Sequence, residues 1–242
     1  MSDSAKPSKA GPATPIDAAT VVVGRDTENG IEVLMLRKNS KIHFGGMWVF
    51  PGGRVDAEDR EGGDGIEAFR TAAVREAEEE AGIRLDSSTL VHLSHWMPPP
   101  IRPVRFSTHF FLCAAPEGLS EVAIDHGEIT EHAWVAPADA LTRRHAGEIE
   151  IVTPTFVTLD WLRRFEQIGD ALGGIRGAFE FHTHILQTDA GNIAFYAGDV
   201  AYDSLDPEAP GPRRRANMLN SGWWWEEHDG QGNGPAPVPV DF

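Results

Sequence analysis

The chain has 242 residues, of which 41% are hydrophobic and 24% charged, the proportions of an ordinary globular protein. That length fits one large domain, or a domain of about 150 residues with an extension. A formal net charge of −16 excludes general nucleic-acid binding, which needs a basic surface to displace counterions.

The opening MSDSAKPSKAGPATP has no apolar core of the signal-peptide kind, and residues 1–16 are expected to be a disordered polar tail. Ala19–Gly24 and Ile31–Leu36 are apolar, β-branched runs around the turn-like Asp26–Gly30, a predicted strand pair. Met47–Phe50 is a short strand stopped by Pro51, Gly52 and Gly53. The polar stretch Arg54–Gly65 is expected to be a loop, and Ile66–Ala81 a helix of good helix formers with Gly82 as its C-terminal stop. Leu90–Trp96 and Phe106–Ala114 are predicted strands joined by the proline-rich MPPPIRPVR, and Glu131–Val135 is another. Pro137–His145 and the amphipathic Thr155–Gln167 are predicted helices. Phe179–Leu186 and Ile193–Tyr196 are expected to form a late hairpin around Asp189–Gly191. His182 and His184 share a face of its first strand without a third ligand nearby, and are read as non-metal residues. Trp223–Trp225 are expected to seal a core or a dimer interface, so a homodimer is open. The single cysteine, Cys113, lies in an apolar strand; a chain without disulfides suits a reducing cytoplasm. No apolar run reaches the ~20 residues that span a bilayer, so no membrane partner is expected.

The chemistry concentrates in REAEEEAGI, Arg75–Ile83. At 100° per residue Glu76, Glu79 and Glu80 share one helix face and Glu78 lies on the far side. Three converging carboxylates repel one another unless a proton or a cation neutralises them, and hard divalent ions take such oxygen ligands. Gly52 and Gly53 upstream allow a ligand to approach the backbone closely. Together, Gly52-Gly53, Glu67, Arg75-Glu76-x-x-Glu79-Glu80 and Gly82-Ile83 resemble the Nudix hydrolase signature, with Ala77 where the family has a bulky aliphatic. The family pattern has five residues between glycine and the first glutamate, whereas thirteen separate Gly53 from Glu67, an insertion of eight.

The resemblance implies an α/β fold, the Nudix α/β/α sandwich with a curved mixed sheet, over 17–170, and leaves 171–242 as a C-terminal extension packed on the domain or at a dimer interface. It implies Mg2+- or Mn2+-dependent hydrolysis of the diphosphate in a small nucleotide substrate, a nucleoside diphosphate linked to a moiety X. Glu76, Glu79 and Glu80 are then metal ligands and catalytic groups, with the carbonyl of Gly52 or Gly53 a further ligand. Arg75 positions the carboxylates by ion pairs with Glu79 and Glu67. Glu128 and Glu131 are alternative candidates for a loop glutamate that completes the site or acts as base. Arg54, Arg37, Arg102 and Arg105 are candidate phosphate contacts, and Trp48 and Trp96 are core residues or base-stacking platforms. The stretch LRKNSKIHFGGMWVFPGG and the long insertion resemble the coenzyme A and acyl-CoA diphosphatase branch; Pro98–Pro100, about sixteen residues past the box, resemble a feature of ADP-ribose hydrolases, which leaves ADP-ribose or NADH-type dinucleotides as alternatives. A catalytically silent nucleotide-binding or regulatory module is the alternative of another class.

Overall fold

The structure, a computed structural model, describes residues 14–41, 44–63, 65–101, 104–119 and 121–230. The expected tail falls mostly outside this set, and Ile16 already opens the first strand.

An eight-stranded mixed sheet organises the chain. Strands β1 (Ile16–Thr27), β2 (Gly30–Lys38) and β3 (Trp48–Val49) are antiparallel neighbours, while β4 (Gly52–Arg54) pairs with β1. β5 (Val91–Met97) and β6 (Phe106–Ala114) are antiparallel, and β6 lies parallel to β1 over its full length. β7 (Ile129–Val135) pairs antiparallel with β2, and β8 (Phe179–His182) adds parallel to β5 at the far edge.

The period-two alternation of β1 decides what covers each face. Ala19, Val21 and Val23 pack under α1 (Ile66–Ala81), with Ala72, Ala73, Ala77 and Ala81 in the contact. These alanines let the helix axis sit close to the sheet, and a bulky side chain at the fully buried Ala77 has no room. Val22 faces the other way, into a larger core covered by α2 (Pro137–His145), α3 (Thr153–Leu162) and α4 (Ile168–Gly174). The helix expected over Thr155–Gln167 stops early: α3 ends at Leu162, residues 163–167 turn, and a separate helix, α4, begins where the Ile168 N–H bonds Asp26 Oδ1 at 2.7 Å. Trp48 and Trp96 are both buried in this core.

Beyond β8 the chain builds a second sheet from β9 (His184–Thr188), β10 (Gly191–Phe195), β11 (Arg213–Leu219) and β12 (Gly222–His228), in the order β12-β11-β10-β9. The late hairpin thus starts at His184; Phe179–His182 leaves it for the main sheet. The three tryptophans form part of β12, which sorts them by alternation: Trp223 and Trp225 pack into the main core, while Trp224 pairs with Asn217 on the opposite side of β12. Asp199 and Arg215, both buried, close a bidentate pair at 2.7 Å that anchors the β10–β11 connection. Phe181, Tyr196 and Trp225 share one core cluster with Val22 and Phe156, so the extension and the first sheet bury a common interior. Among the described residues no helix is long and apolar enough to cross a membrane.

Candidate active site

The C-terminal half of α1 brings its acids to the β4 turn. Gly82 ends the helix in the left-handed region (φ 68°), its N–H bonding the Glu78 carbonyl at 2.9 Å while the Ile83 N–H reaches Ala77 at 3.2 Å. Because the alanine stripe faces the sheet, Glu76 and Glu80 fall along the rim between α1 and β4. Glu80 is 4% exposed and accepts the Gly52 N–H at 2.9 Å. It also forms an ion pair with Lys38 of β2, whose Nζ lies 3.6 Å from Glu128. Burial pushes the Glu80 carboxyl above the usual carboxylate range, against the pull of Lys38. Burial opposes the charge of Lys38 in turn, but Glu80, Glu128 and Glu76 outweigh it and hold the ammonium above its ordinary value.

Glu76 lies under Gly53, where a Cβ would collide with its carboxylate. Burial pushes Glu76 up to about 7; Arg75 opposes the shift, and Glu80 and Glu79 add to it. Glu79 is more exposed and takes an Arg75 bond at 3.0 Å. Glu78 points away and pairs with Arg84 at 2.7 Å. These side chains open on a cleft of about 580 Å3, lined also by Lys38, Arg54, Phe44, Phe106 and Glu128. Glu128 is held there by Asp125, whose carboxylate accepts the Glu128 and Ile129 N–H groups at 2.8 and 2.9 Å.

The donor set suits a hard divalent cation. Among the described residues, the ion pairs of Glu76, Glu79, Glu80 and Glu128 are with Lys38 and Arg75, so four carboxylates share two cations in the cleft. All of these donors are carboxylate oxygens, the ligands a hard divalent ion takes.

The sequence profile of the NUDIX domain matches residues 14–156. This chain belongs to the Nudix family. A NUDIX hydrolase from Alicyclobacillus acidocaldarius is 27% identical, with a TM-score of 0.62 over 67% of this chain and 97% of that one. More distant structures include a C. elegans Ap4A hydrolase complex (22% identity, TM-score 0.43, 66% of this chain and 99% of that one). The NUDIX domain of Shewanella oneidensis NrtR complexed with ADP ribose is 16% identical, with a TM-score of 0.47 over 61% of this chain and 85% of that one. No curated protein matches the chain. The chain is accordingly a diphosphohydrolase of the Nudix type, acting on nucleoside diphosphates linked to a further moiety, in a family that generally uses divalent metals.

Against the Nudix pattern one residue changes place. Arg75 does not meet Glu67, which sits on the surface 3.4 Å from Arg70. It forks instead onto Asp59, with Nε to Oδ1 at 3.1 Å and Nη2 to Oδ2 at 2.9 Å, and it bonds the Arg54 carbonyl at 2.9 Å and Glu76 at 3.0 Å. Asp59 is 2% exposed and also accepts the Asp56 N–H at 2.8 Å. Burial works against its charge, and the bonds from Arg75 and Asp56 hold it below the usual range; its own carboxylate and that of Glu76 raise Arg75 above its ordinary value. The loop expected over Arg54–Gly65 therefore contains a 3-10 turn at Glu58–Arg60 that delivers a structural acid. The signal was present in the spacing: five residues separate Gly53 from Asp59, as the family pattern separates glycine from its first acid. The eight extra residues then lie between Asp59 and Arg75.

The remaining candidates divide. Gly52, Gly53, Arg54 and Glu128 line or frame the cleft. Glu131 and Arg37 pair with each other at 2.5 Å outside its lining. Arg105 is turned to the Pro98 carbonyl at 2.9 Å, also outside it. Arg102 lies outside the described residues. Lys38, unremarkable in sequence as one of several basic residues ahead of the glycine turn, is the cation buried against Glu80.

Proposed function

We propose that the enzyme cleaves the diphosphate of coenzyme A or an acyl-CoA, using Mg2+ or Mn2+ held by Glu76, Glu79 and Glu80, with the Gly52 backbone at the same rim. Such an ion, when bound, neutralises the diphosphate and acidifies a coordinated water. The other work falls to the chain itself. Arg75, tied to Asp59, fixes Glu76 and Glu79 in position. Lys38 offsets the buried charge of Glu80. Arg54, at the mouth, meets the diphosphate, and its guanidinium lies 5.8 Å from the Phe106 ring centre. Phe44 and Phe106, with ring centres 6.2 Å apart, offer apolar faces to a base. Glu128, in the cleft where Glu131 is not, accepts the proton of the attacking water.

The observation that supports coenzyme A is a second, apolar pocket on the same face of the main sheet. Thr108 lines the catalytic cleft, and its cross-strand partner Trp96 lines a cavity of about 380 Å3 walled by Trp161, Phe179, Phe181 and Trp225. One strand pair therefore separates a diphosphate site from a greasy pocket, which suits a nucleotide carrying a long, partly apolar arm better than a second sugar. The test is turnover of coenzyme A, acyl-CoAs of increasing chain length, ADP-ribose, NADH and diadenosine polyphosphates with Mg2+ or Mn2+. We expect adenosine 3′,5′-bisphosphate and the phosphopantetheine product to be released fastest. A preference for ADP-ribose or a dinucleotide refutes the substrate reading, and full activity in Glu80→Gln refutes the metal assignment.

A further inference from the structure

The two histidines at the start of the extension part company in the fold, and one of them gains partners invisible in the sequence. His184 turns to β9, where its Nδ1 bonds the Tyr202 carbonyl at 2.7 Å and its ring stacks on Tyr202. His182 stays on β8. Because β8 runs parallel to β5, Glu180 is the register partner of His95, and His182 lies two residue pairs further on, beside Met97. Alternation then puts His95, Glu180 and His182 together on the face opposite the apolar pocket, and one ligand atom from each lies within 4.8 Å of the other two.

We propose that His95, Glu180 and His182 bind a Zn2+-like transition-metal ion that clamps the first strand of the extension to the Nudix sheet. Ligand atoms 2.0–2.1 Å from a tetrahedral ion lie about 3.3 Å apart. Glu180 Oε2 is 2.9 Å from His95 Nδ1 and 3.5 Å from His182 Nε2, so two of the three edges already have nearly that length. The His182 and Glu180 side chains are exposed and free to close the third. Two imidazoles and one carboxylate favour Zn2+ and the other late first-row ions over Mg2+, which keeps to oxygen donors.

The surroundings support the assignment. The second nitrogen of His95 lies 2.8 Å from the hydroxyl of buried Ser107. When that nitrogen carries the proton and donates it to Ser107, the Nδ1 lone pair is left facing the ion, the outer-shell arrangement that orients metal-bound histidines. Behind it His109 stacks on His95 with ring centres 4.1 Å apart, and His109 Nδ1 is 2.9 Å from His92 Nε2. The site is separate from the hydrolytic one. Phe69 of α1 packs on His109, and Glu76 and Glu80 lie seven and eleven residues further along the helix, about 10–16 Å at 1.5 Å per residue. The strand it would tie down has four residues and, among the described residues, pairs within the sheet with β5 alone, so a cross-strand metal bridge would act at the sheet's edge strand.

The test is Zn2+ binding to the full chain, prepared without a histidine tag, by competition with a chromophoric chelator in millimolar Mg2+ that fills the carboxylate site. Wild type and Glu80→Gln are expected to bind one equivalent, and His182→Ala and Glu180→Gln to bind at least about 10-fold more weakly. Zn2+ at roughly 100 times its Kd is expected to raise the unfolding midpoint of wild type by about 5–10 °C and not that of His182→Ala. Mg2+-dependent hydrolysis in His182→Ala checks that this variant is folded. No Zn2+ bound by wild type under these conditions, unchanged binding in His182→Ala, or loss of binding in Glu80→Gln would each overturn the proposal; in the first case the three residues form an ion pair only.

Discussion

Replacing Asp59 by alanine, with Glu67→Ala as its comparison, asks which acid holds Arg75. Asp59 contributes two charge-assisted bonds to the guanidinium, at 3.1 and 2.9 Å, from a position only 2% exposed. Removing one partner of a fully buried pair costs about 3–5 kcal/mol. Arg75 keeps Glu76, Glu79 and the Arg54 carbonyl, and its side chain is 26% exposed, so the cost falls just below that range, about 2–3 kcal/mol. For a chain of this size each kcal/mol moves the midpoint by about 2–4 °C, and Asp59→Ala should lower it by roughly 5–10 °C. Glu67, 59% exposed and 3.4 Å from Arg70, is worth at most about 0.5 kcal/mol, a shift below about 2 °C. Freed from Asp59, Arg75 no longer sets Glu76 and Glu79, and kcat should fall about 10- to 100-fold in Asp59→Ala and stay near wild type in Glu67→Ala. Thermal unfolding and steady-state kinetics of the two variants decide the matter. Equal shifts, or the larger loss in Glu67→Ala, would refute the reasoning.

Three further outcomes are expected. Glu76 has a folded pKa of about 7, above an ordinary value of 4.5, so its contribution to stability is complete below pH 4.5 and is lost as pH rises through 7. Chelator-treated protein should therefore lose up to about 3 kcal/mol over that window, and Mg2+ or Glu76→Gln should flatten the profile; a flat profile without metal contradicts the burial argument. Gly53→Ala places its Cβ on the Glu76 carboxylate rather than on backbone, so the midpoint should hardly move while the Mg2+ concentration needed for half-maximal rate rises about 10-fold or more; Gly52→Ala, with Ala19 backbone in the way, should instead destabilise the fold. A chain ending at Gly174 exposes the cluster that Phe181, Tyr196 and Trp225 complete, and it should aggregate or lose cooperative unfolding in scanning calorimetry; a well-folded, active fragment would show that the second sheet is dispensable.

The local pattern was enough to read α1, its glycine stop and the division of its glutamates. Helical period and the αL preference of glycine act over neighbouring residues, and no distant contact competes with them. Fold class followed from the same box, and so did the strand–turn–helix order around it. The extension was harder: Phe179–Leu186 alternates like one strand, and only the pairing of β8 with β5 breaks it at Thr183.

What tertiary structure alone decided is the choice between near-equivalent residues. Arg37 and Lys38 are adjacent in β2, so the pleat sends them to different sides, and the register irregularity against β7 falls between these two residues. Lys38 thereby meets Glu80 and Glu128 in the cleft, while Arg37 takes Glu131 away from it. Asp59 and Glu67 are both acids ahead of Arg75, and a 3-10 turn selects the first. His95 and His182 stand 87 positions apart and meet through the pairing of two strands. Charge and spacing along the chain specify which chemistry is available; strand register specifies which of two like residues reaches it, because a shift of one position reverses the face each side chain occupies.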